Sequence, residues 1–352
     1  MLIIGCDFHP RFQQIAYVDQ GSGEYGERRL SHPAEACQFY RSLAGRQVRV
    51  GMEATGSFRW FQRLLEEWNQ QLVLGDPGAI HAAQTRKQRT DKRDARHILK
   101  LLVEDRFPAI WQPPLANLET RGLLWHRCRL VRLRTRILNQ LDAMAKNEGF
   151  SNSGSWSRKR RQGIEALPLQ GWDVQRRTDL LGLLDELEER IRPLEEAVEK
   201  AAFENPAACR LMTHPGVGPI VALAFVLTIG DWQRFARGKH VASYLGLIPE
   251  EDSSADKRRL GHISKQGNGL VRWLLVQAAL IAQRSDPSWH RQYVRMSITK
   301  HHGVAKLAIA HKLAVRLYWM LRSGENYSQV KERGSHAGQS VLAGGCGCRP
   351  IN

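Results

Sequence analysis

The sequence has few cysteines and no long apolar run, and both shortages limit the classes of protein it can belong to. Its six cysteines are scattered and form no repeated Cys-x-x-Cys pair at zinc-finger spacing, so neither a disulfide scaffold nor a zinc finger is expected. The longest apolar run, residues 219–230, is shorter than the roughly 18 residues that indicate a membrane span. The apolar start of the chain ends at Cys6, too early for a signal peptide. We therefore expect a cytoplasmic protein with free thiols and no membrane partner.

Acidic residues are also in short supply relative to basic ones. The chain has 35 Asp and Glu against 52 Lys and Arg, which gives a net charge of +17 and a pI of about 10.0. Such a surplus indicates a polyanionic partner, most often nucleic acid. With 42% hydrophobic residues the chain is not disordered as a whole, and 352 residues leave room for two or three domains.

The N-terminal part alternates between short apolar runs and helical stretches, the pattern of an α/β domain. We predict three strands, a helix, a strand, a helix and a strand, at residues 2–7, 14–19, 27–30, 33–43, 48–52, 58–68 and 72–74. This is the element order of a ribonuclease-H-like sheet, although many α/β folds begin in a similar way.

The rest of the chain has mainly helical periodicity. Two long patterns, at 115–146 and 175–203, predict an antiparallel helical hairpin or coiled coil, joined by a basic loop at 151–161. Residues 206–322 predict a further helical domain with a tight turn at 215–219, and the Gly- and Ser-rich end predicts a disordered tail. The predicted divisions are 1–112, 113–205, 206–325 and 326–352.

Four acidic residues stand where a catalytic metal site could form. Asp7 and Glu53 end two predicted strands, and Asp91 and Asp94 share one face of a helix that Thr90 can cap. Taken singly, these acids also fit ordinary strand exits and a capping turn with ion pairs. Taken together, they offer the hard oxygen ligands that two Mg²⁺ ions need for phosphoryl transfer.

Basic residues that could bind a phosphate backbone fall into several groups. One group flanks the acids, a second lies on the 115–146 helix and the loop after it, and a third follows residue 256; the candidates are Arg86, Lys87, Arg89, Arg129, Arg132, Arg136, Arg158, Lys159, Arg160, Arg161, Lys257, Arg258, Arg259 and Lys265. Gly216 and Gly218 resemble a helix-hairpin-helix turn, in which backbone N–H groups approach a phosphate. The alternative is an ordinary interhelical loop with a glycine cap.

Three motifs together carry a family resemblance. The segments GCDFH, GMEATGSF and RTDKRDAR resemble the Asp, Glu and Asp-x-x-Asp motifs of DEDD transposases of the insertion-sequence one-ten (IS110) family. Downstream, HPGVGPIVALAFVLTIGDWQRFARGKHVASYLGLIP resembles the C-terminal transposase domain of that family, so that the resemblance covers residues 1 to about 322. It implies a RuvC-like (ribonuclease-H-like) N-terminal domain and metal-binding roles for Asp7, Glu53, Asp91 and Asp94.

The resemblance also implies a serine nucleophile and an RNA partner. A serine pair in a polar loop is on its own most simply a turn, but family members carry a nucleophilic serine after the L-x-P turn. Ser253 matches that position best, and Ser254 is the alternative. The family's active site is composite between subunits, which implies a homo-oligomer, a dimer or tetramer. Its members use a noncoding bridge RNA to pair with donor and target DNA.

The sequence thus predicts an α/β RuvC-like domain, a helical hairpin and a mainly helical C-terminal domain. We expect a magnesium-dependent DNA transposase or recombinase that cuts and rejoins double-stranded DNA through a serine-linked intermediate. Two alternatives remain open at this point. One is a RuvC-like Holliday-junction resolvase that uses metal-activated water, and the other is a non-catalytic nucleic-acid-binding scaffold.

Overall fold

Alternating apolar residues near the N terminus form a five-stranded sheet. In the computed structural model, which describes residues 1–56, 58–84, 90–150, 156–251 and 259–332, the strands are β1 (Leu2–Phe8), β2 (Phe12–Asp19), β3 (Tyr25–Ser31), β4 (Val48–Glu53) and β5 (Gln71–Gly75). The first three form an antiparallel meander; β4 is parallel to β1, and β5 is parallel to β4. The order across the sheet is β3-β2-β1-β4-β5.

Helices cover both faces of this sheet: α1 (Ala34–Ser42), α2 (Arg59–Glu67), α3 (Pro77–Ala82) and α4 (Asp91–Val103). Because side chains alternate along a strand, Leu2, Ile4 and Cys6 of β1 enter a core with residues of α1 and α2. Ile3 enters the opposite core, which α4 supplies. The sheet and its four helices make up the first of the two units into which the chain divides, Met1–Leu115.

The second unit, Ala116–Asn352, is mainly helical. Its elements are α5 (Leu115–Asn147), α6 (Arg158–Glu165), α7 (Trp172–Phe203), α8 (Pro206–Met212), α9 (Pro219–Ile229), α10 (Gly238–Tyr244), β6 (Pro249–Glu251), β7 (Leu260–Ile263), α11 (Gly269–Ser285), α12 (Pro287–Thr299), α13 (His302–Ser323) and α14 (Tyr327–Glu332). One core joins α5, α6 and the start of α7, and a larger one lies among the later helices. None of the helices in the described ranges is long and apolar enough to cross a bilayer.

Several details differ from the prediction. The basic part of the predicted loop is helical, because Ser157 caps α6 by accepting a hydrogen bond from the Arg160 amide at 3.3 Å. The predicted tail begins too early, since α14 lies inside it and is pinned through the Tyr327 hydroxyl and Lys331, each 2.9 Å from Asp286. Residues 333–352 lie outside the described part. The first division falls at residue 115 instead of 112, and the separation of 113–205 from 206–325 stays a prediction.

Candidate active site and basic surfaces

Asp7 and Glu53 occupy matching positions at the carboxyl ends of neighbouring parallel strands. The register pairs Cys6 of β1 with Met52 of β4, so that Asp7 and Glu53 are each one residue further along strands about 4.8 Å apart. Cys6 and Met52 belong to the core under α1 and α2. The side chains of Asp7 and Glu53 therefore point to the other face of the sheet, where α4 packs.

Helix α4 brings the other two acids to this edge. Thr90 caps the helix by accepting a hydrogen bond from the Arg93 amide at 3.4 Å, and Asp91 and Asp94 lie in its first turn. The helix backbone contacts β1 at Gly5, where an added β-carbon would be 2.8 Å from the Leu99 Cα and nearer still to other backbone atoms of α4. Glycine at this position therefore permits the approach that brings the first turn of α4 beside the end of β1.

Two residues after Asp94, a side chain of α4 reaches β3, the strand at one edge of the sheet. Arg96 donates two hydrogen bonds to the Glu27 carboxylate of β3, the longer of them 3.0 Å, and the Tyr25 hydroxyl donates to the same carboxylate. The Arg96 and then the Tyr25 hydrogen bonds hold the pKa of Glu27 below its usual value. This ion pair links α4 to β3 of the meander.

Two histidines and an amide, none of them predicted, contact the acids. The His9 Nε2 atom lies 3.1 Å from Asp7 Oδ2 and 3.7 Å from Asp91 Oδ1. His81 Nε2 of α3 lies 3.6 Å from Glu53 Oε2, and Gln84 donates a 2.9 Å hydrogen bond to Asp94 Oδ1. The sequence did carry a signal for His9, because residues two apart on an extended chain share a face. The sequence contained no such signal for His81, because its nearness to Glu53 depends on where α3 packs.

The electrostatics of the edge fit a divalent cation. Burial raises the pKa of Asp7, and the neighbouring Asp94 and Asp91 charges raise it further, while His9 acts in the opposite direction. One donor atom each from Asp7, His9 and Asp91 lie within 4.8 Å of one another. Carboxylate oxygens that repel one another at this spacing are the donor set that a hard cation neutralises. Of the four predicted acids, Asp7 and Asp91 belong to this group of three, and Glu53 and Asp94 do not.

Several predicted site residues fall outside the described part of the chain. These are Ser253, Ser254, Lys257 and Arg258, between β6 and β7, and Arg86, Lys87 and Arg89, between α3 and α4. Of their neighbours, Arg259 and Lys265 are described and exposed. The roles of all of these residues stay predictions.

The predicted arginines of α5 lie on one exposed face. Arg129, Arg132 and Arg136, called here the arginine stripe, are spaced three and four apart and are all exposed. Within the described residues none of the three makes an ion pair. Such a row leaves its guanidinium groups available to a phosphate backbone.

In the neighbouring basic run, residues 158–161, two of the arginines form ion pairs with acids. Arg160 pairs with Asp142, and Arg161 pairs with Asp185 and Glu165, whose hydrogen bonds raise its pKa above the ordinary arginine value. These two arginines fasten α6 to α5 and α7. Arg158 and Lys159 are exposed.

The two glycines of the predicted helix-hairpin-helix turn differ in the space that surrounds them. At Gly216, where φ is +82°, a β-carbon would be 2.7 Å from the Ala282 amide nitrogen of α11, so that helix packing accounts for the glycine. At Gly218, just before α9, the same position is open. A phosphate contact at this turn stays a prediction, and Gly218 is the better candidate.

A second basic surface lies outside the predicted groups of basic residues. Helices α12 and α13, called here the acid-free hairpin, lie in a stretch with no Asp or Glu from Pro287 to Gly324 and with seven Lys and Arg. Arg291, Arg295, Lys300 and Lys312 are exposed. Burial and then the charge of Arg295 lower the pKa of Lys312.

Comparison with known proteins gives consistent matches in both units. A profile described as the transposase IS116/IS110/IS902 family matches residues 208–295, and a profile of DEDD transposases named after IS110 matches residues 4–147. A "Probable family 20 transposase" of Pseudomonas aeruginosa is 29% identical, over 92% of this chain and 97% of its own. The transposase for insertion sequence element IS1111A of Coxiella burnetii is 25% identical, over 92% and 91%.

A third relative, the transposase for insertion sequence element IS1328 of Yersinia enterocolitica, is 28% identical over 77% of this chain and 83% of its own. The DEDD profile spans Asp7, Glu53, Asp91 and Asp94, the acids that the fold directs to the edge of the sheet. The chain therefore belongs to the IS110-type family of insertion-sequence transposases, enzymes that cleave DNA and transfer its strands.

Proposed function

We propose that this transposase cuts and rejoins double-stranded donor and target DNA at a metal-dependent, RuvC-like acidic site, with Ser253 as nucleophile. One observation carries the proposal: Asp7, Asp91 and Asp94 interact electrostatically at the end of β1, and Glu53 ends the neighbouring strand. The strand order β3-β2-β1-β4-β5, with two antiparallel and two parallel pairings, supports a ribonuclease-H-like fold for the first unit.

The four acids would hold Mg²⁺, as two ions, and bring the scissile phosphate to the edge of the sheet. A bound divalent cation supplies charge neutralisation and Lewis acidity for phosphoryl transfer. Within the site, Gln84 would orient the Asp94 carboxylate through its 2.9 Å hydrogen bond.

The proposed covalent step is a transesterification at a DNA phosphate. The Ser253 oxygen forms a bond to phosphorus as the bond from phosphorus to one deoxyribose oxygen breaks, and the serine proton leaves to a base while the departing oxygen gains one. Attack by a deoxyribose hydroxyl on the phosphoserine reverses the step and releases the serine. Strand exchange takes place between the two.

The partners in this proposal are DNA, RNA and further copies of the chain. A noncoding bridge RNA selects both DNA sites, and the arginine stripe and the acid-free hairpin offer two surfaces for nucleic-acid backbones. A homo-oligomer, dimer or tetramer, completes the site, with the serine of one subunit meeting the acids of another. A cytoplasmic location agrees with the unpaired Cys6, Cys37, Cys128 and Cys209.

The test is to trap and map the protein–DNA adduct. The full chain is incubated with Mg²⁺, the DNA that flanks its gene and the noncoding transcript of that DNA, and the modified residue is located by mass spectrometry. We expect an adduct on Ser253 that is lost in Ser253→Ala, kept in Ser254→Ala and lost without the transcript. Asp7→Asn should abolish both cleavage and adduct.

Other outcomes identify the alternatives. Cleavage that survives Ser253→Ala and Ser254→Ala but not Asp7→Asn would indicate a resolvase that uses water. Nucleic-acid binding without any cleavage, unchanged by Asp94→Ala, would indicate a scaffold.

A further inference from the structure

We propose that His9 is a nitrogen ligand of the divalent cation at the acidic site, and that the site therefore binds Mn²⁺ more tightly than Mg²⁺. The inference rests on the proposed function and deepens it, because it adds a donor that the four predicted acids do not include. Magnesium remains the proposed ion in the cell because of its abundance, since availability as well as affinity decides which metal a site holds.

The spacing of the donor atoms supports a ligand role. His9 Nε2 is 3.1 Å from Asp7 Oδ2 and 3.7 Å from Asp91 Oδ1, and the three atoms lie within 4.8 Å of one another. An octahedral ion with bonds of about 2.1 Å separates adjacent ligands by about 3.0 Å and opposite ligands by about 4.2 Å. Movements of about half an ångström would seat all three atoms around one ion.

The imidazole is held in position by groups that take no part in the site. Its ring stacks on Phe12 of β2, with centroids 4.6 Å apart and an interplanar angle of 28°. The Arg29 guanidinium lies 3.7 Å from the Phe12 ring centroid, and the His9 amide donates a 2.9 Å hydrogen bond to the Phe12 carbonyl. The β1–β2 turn thus directs Nε2 between two carboxylates that come from different elements.

Donor chemistry then sets the preference among ions. Mg²⁺ binds oxygen almost exclusively and keeps several waters, whereas first-row transition ions accept imidazole together with carboxylates. A mixed set of one nitrogen and several carboxylate oxygens therefore favours Mn²⁺ over Mg²⁺. Loss of a group that only supports a ligand lowers metal affinity by about 10- to 100-fold, so loss of a ligand should lower it at least as much.

His81 provides a matched control within the same unit. It also lies beside one of the acids, 3.6 Å from Glu53 Oε2, but it does not belong to the three-residue donor group of His9. If proximity of any histidine to the acids were enough, replacing either histidine would have the same effect. Under the proposal only His9 matters for nitrogen ligation.

The experiment measures metal binding, not activity. Full-length protein stripped of metal is titrated with Mn²⁺ and followed by the free-ion electron paramagnetic resonance signal, with and without competing Mg²⁺. Electron spin echo modulation then tests whether bound Mn²⁺ is coupled to an imidazole nitrogen. The variants are His9→Phe, which retains a ring to stack on Phe12, His9→Gln as a second version, and His81→Gln as control, each checked for folding by circular dichroism.

We expect nitrogen coupling in the unmodified protein and in His81→Gln, and its loss in both His9 variants. Mn²⁺ affinity should fall about 10-fold or more in those variants, with a much smaller change for Mg²⁺. Bound Mn²⁺ without nitrogen coupling, coupling that survives in the His9 variants, or equal affinity for the two ions would overturn the inference. In those cases the proposed function survives if Asp7→Asn abolishes Mn²⁺ binding. If the unmodified protein does not bind Mn²⁺, or if Asp7→Asn leaves Mn²⁺ binding unchanged, both the His9 inference and the proposed function are contradicted.

Discussion

The backbone of Gly5 in β1 lies directly against the backbone of Leu99 in α4, with no room for a side chain between them. A β-carbon on Gly5 would be 2.8 Å from the Leu99 Cα. On the next strand, a β-carbon on Gly51 would be 2.6 Å from the Leu102 side chain. The two glycines therefore decide how closely α4, with Asp91 and Asp94, approaches the strands that carry Asp7 and Glu53.

We predict that Gly5→Ala destabilises the first unit by about 3 kcal/mol or more, because overpacking against backbone cannot be relieved by a rotamer change. Gly51→Ala should cost less, since it meets the movable end of Leu102. Gly56→Ala, where nothing lies within 4 Å, is the control and should be nearly neutral. Urea unfolding followed by circular dichroism measures all three; equal costs at Gly5 and Gly56 would contradict the packing described.

Charge removal on and beside α5 should have two distinct effects. The triple change of Arg129, Arg132 and Arg136 to Gln should weaken nucleic-acid binding and reduce the slope of log affinity against log salt by about 2.7, without loss of stability. Arg160→Gln with Arg161→Gln should instead lower the free energy of unfolding by about 1 kcal/mol, because these arginines join helices through acids. Salt-dependent binding and thermal unfolding separate the two; an unchanged slope in the triple variant would argue against the stripe.

The acid-free hairpin leads to an independent expectation. Replacing Arg291 and Arg295 by Gln should reduce the salt slope of DNA binding by about 1.8 if both contact phosphates. The control replaces Arg190, which lies 3.9 Å from Glu186 within α7, and Lys200, which lies 3.8 Å from Glu204 just after the end of α7. If the control and the test pair weaken binding equally, net charge alone is responsible, and the hairpin is not a binding surface.

A buried histidine in the helical unit predicts a loss of stability in mild acid. Burial and then Arg316 lower the pKa of His214 to about 4, against the opposing effects of the Pro215 carbonyl and Asp286. The unfolded chain takes up this proton near pH 6.5 and the folded chain only near pH 4, so stability falls as the pH drops through that window.

The variant His214→Phe keeps a ring against Trp289 and Tyr327 but cannot be protonated. The decrease in unfolding free energy between pH 7 and pH 4.5 should therefore be smaller by about 2 kcal/mol than in the unmodified protein. Asp286, with its pKa held low by Lys331, Ser288 and Tyr327 in spite of burial, contributes only at more acidic pH. Chemical unfolding at a series of pH values makes the comparison; parallel curves would exclude His214 as the cause.

Much of the fold followed from local patterns. Every predicted strand and helix of the first unit is confirmed to within two residues at its ends, because period-two alternation and Thr90 as a cap are signals of short range. Helix α6 was missed, since a Ser- and Arg-rich segment lacks apolar periodicity and its helix depends on the Ser157 cap and on partners in α5 and α7.

The candidate site was predicted in part. The four acids could be singled out because strand ends and a capped helix start are visible in the chain, and the family resemblance joined them. His81 and Gln84 could not, since their nearness to Glu53 and Asp94 depends on how α3 returns after β5. Arg160 and Arg161 show the opposite limit: their charges were plain in the sequence, but their pairing with Asp142 and Asp185, 18 and 24 residues away, depends on how the helices pack.

Two of the four acids share a single helical turn, and that helix is seated on Gly5 and tied by Arg96 to Glu27. The backbone positions of Asp91 and Asp94 therefore shift only if the whole of α4 shifts. Glu53 and His81 are freer to adjust, since each has a side chain that is more than a third exposed. Ions of different size, or a phosphate that changes shape as it reacts, would be accommodated by side-chain rotation and not by movement of the α4 backbone.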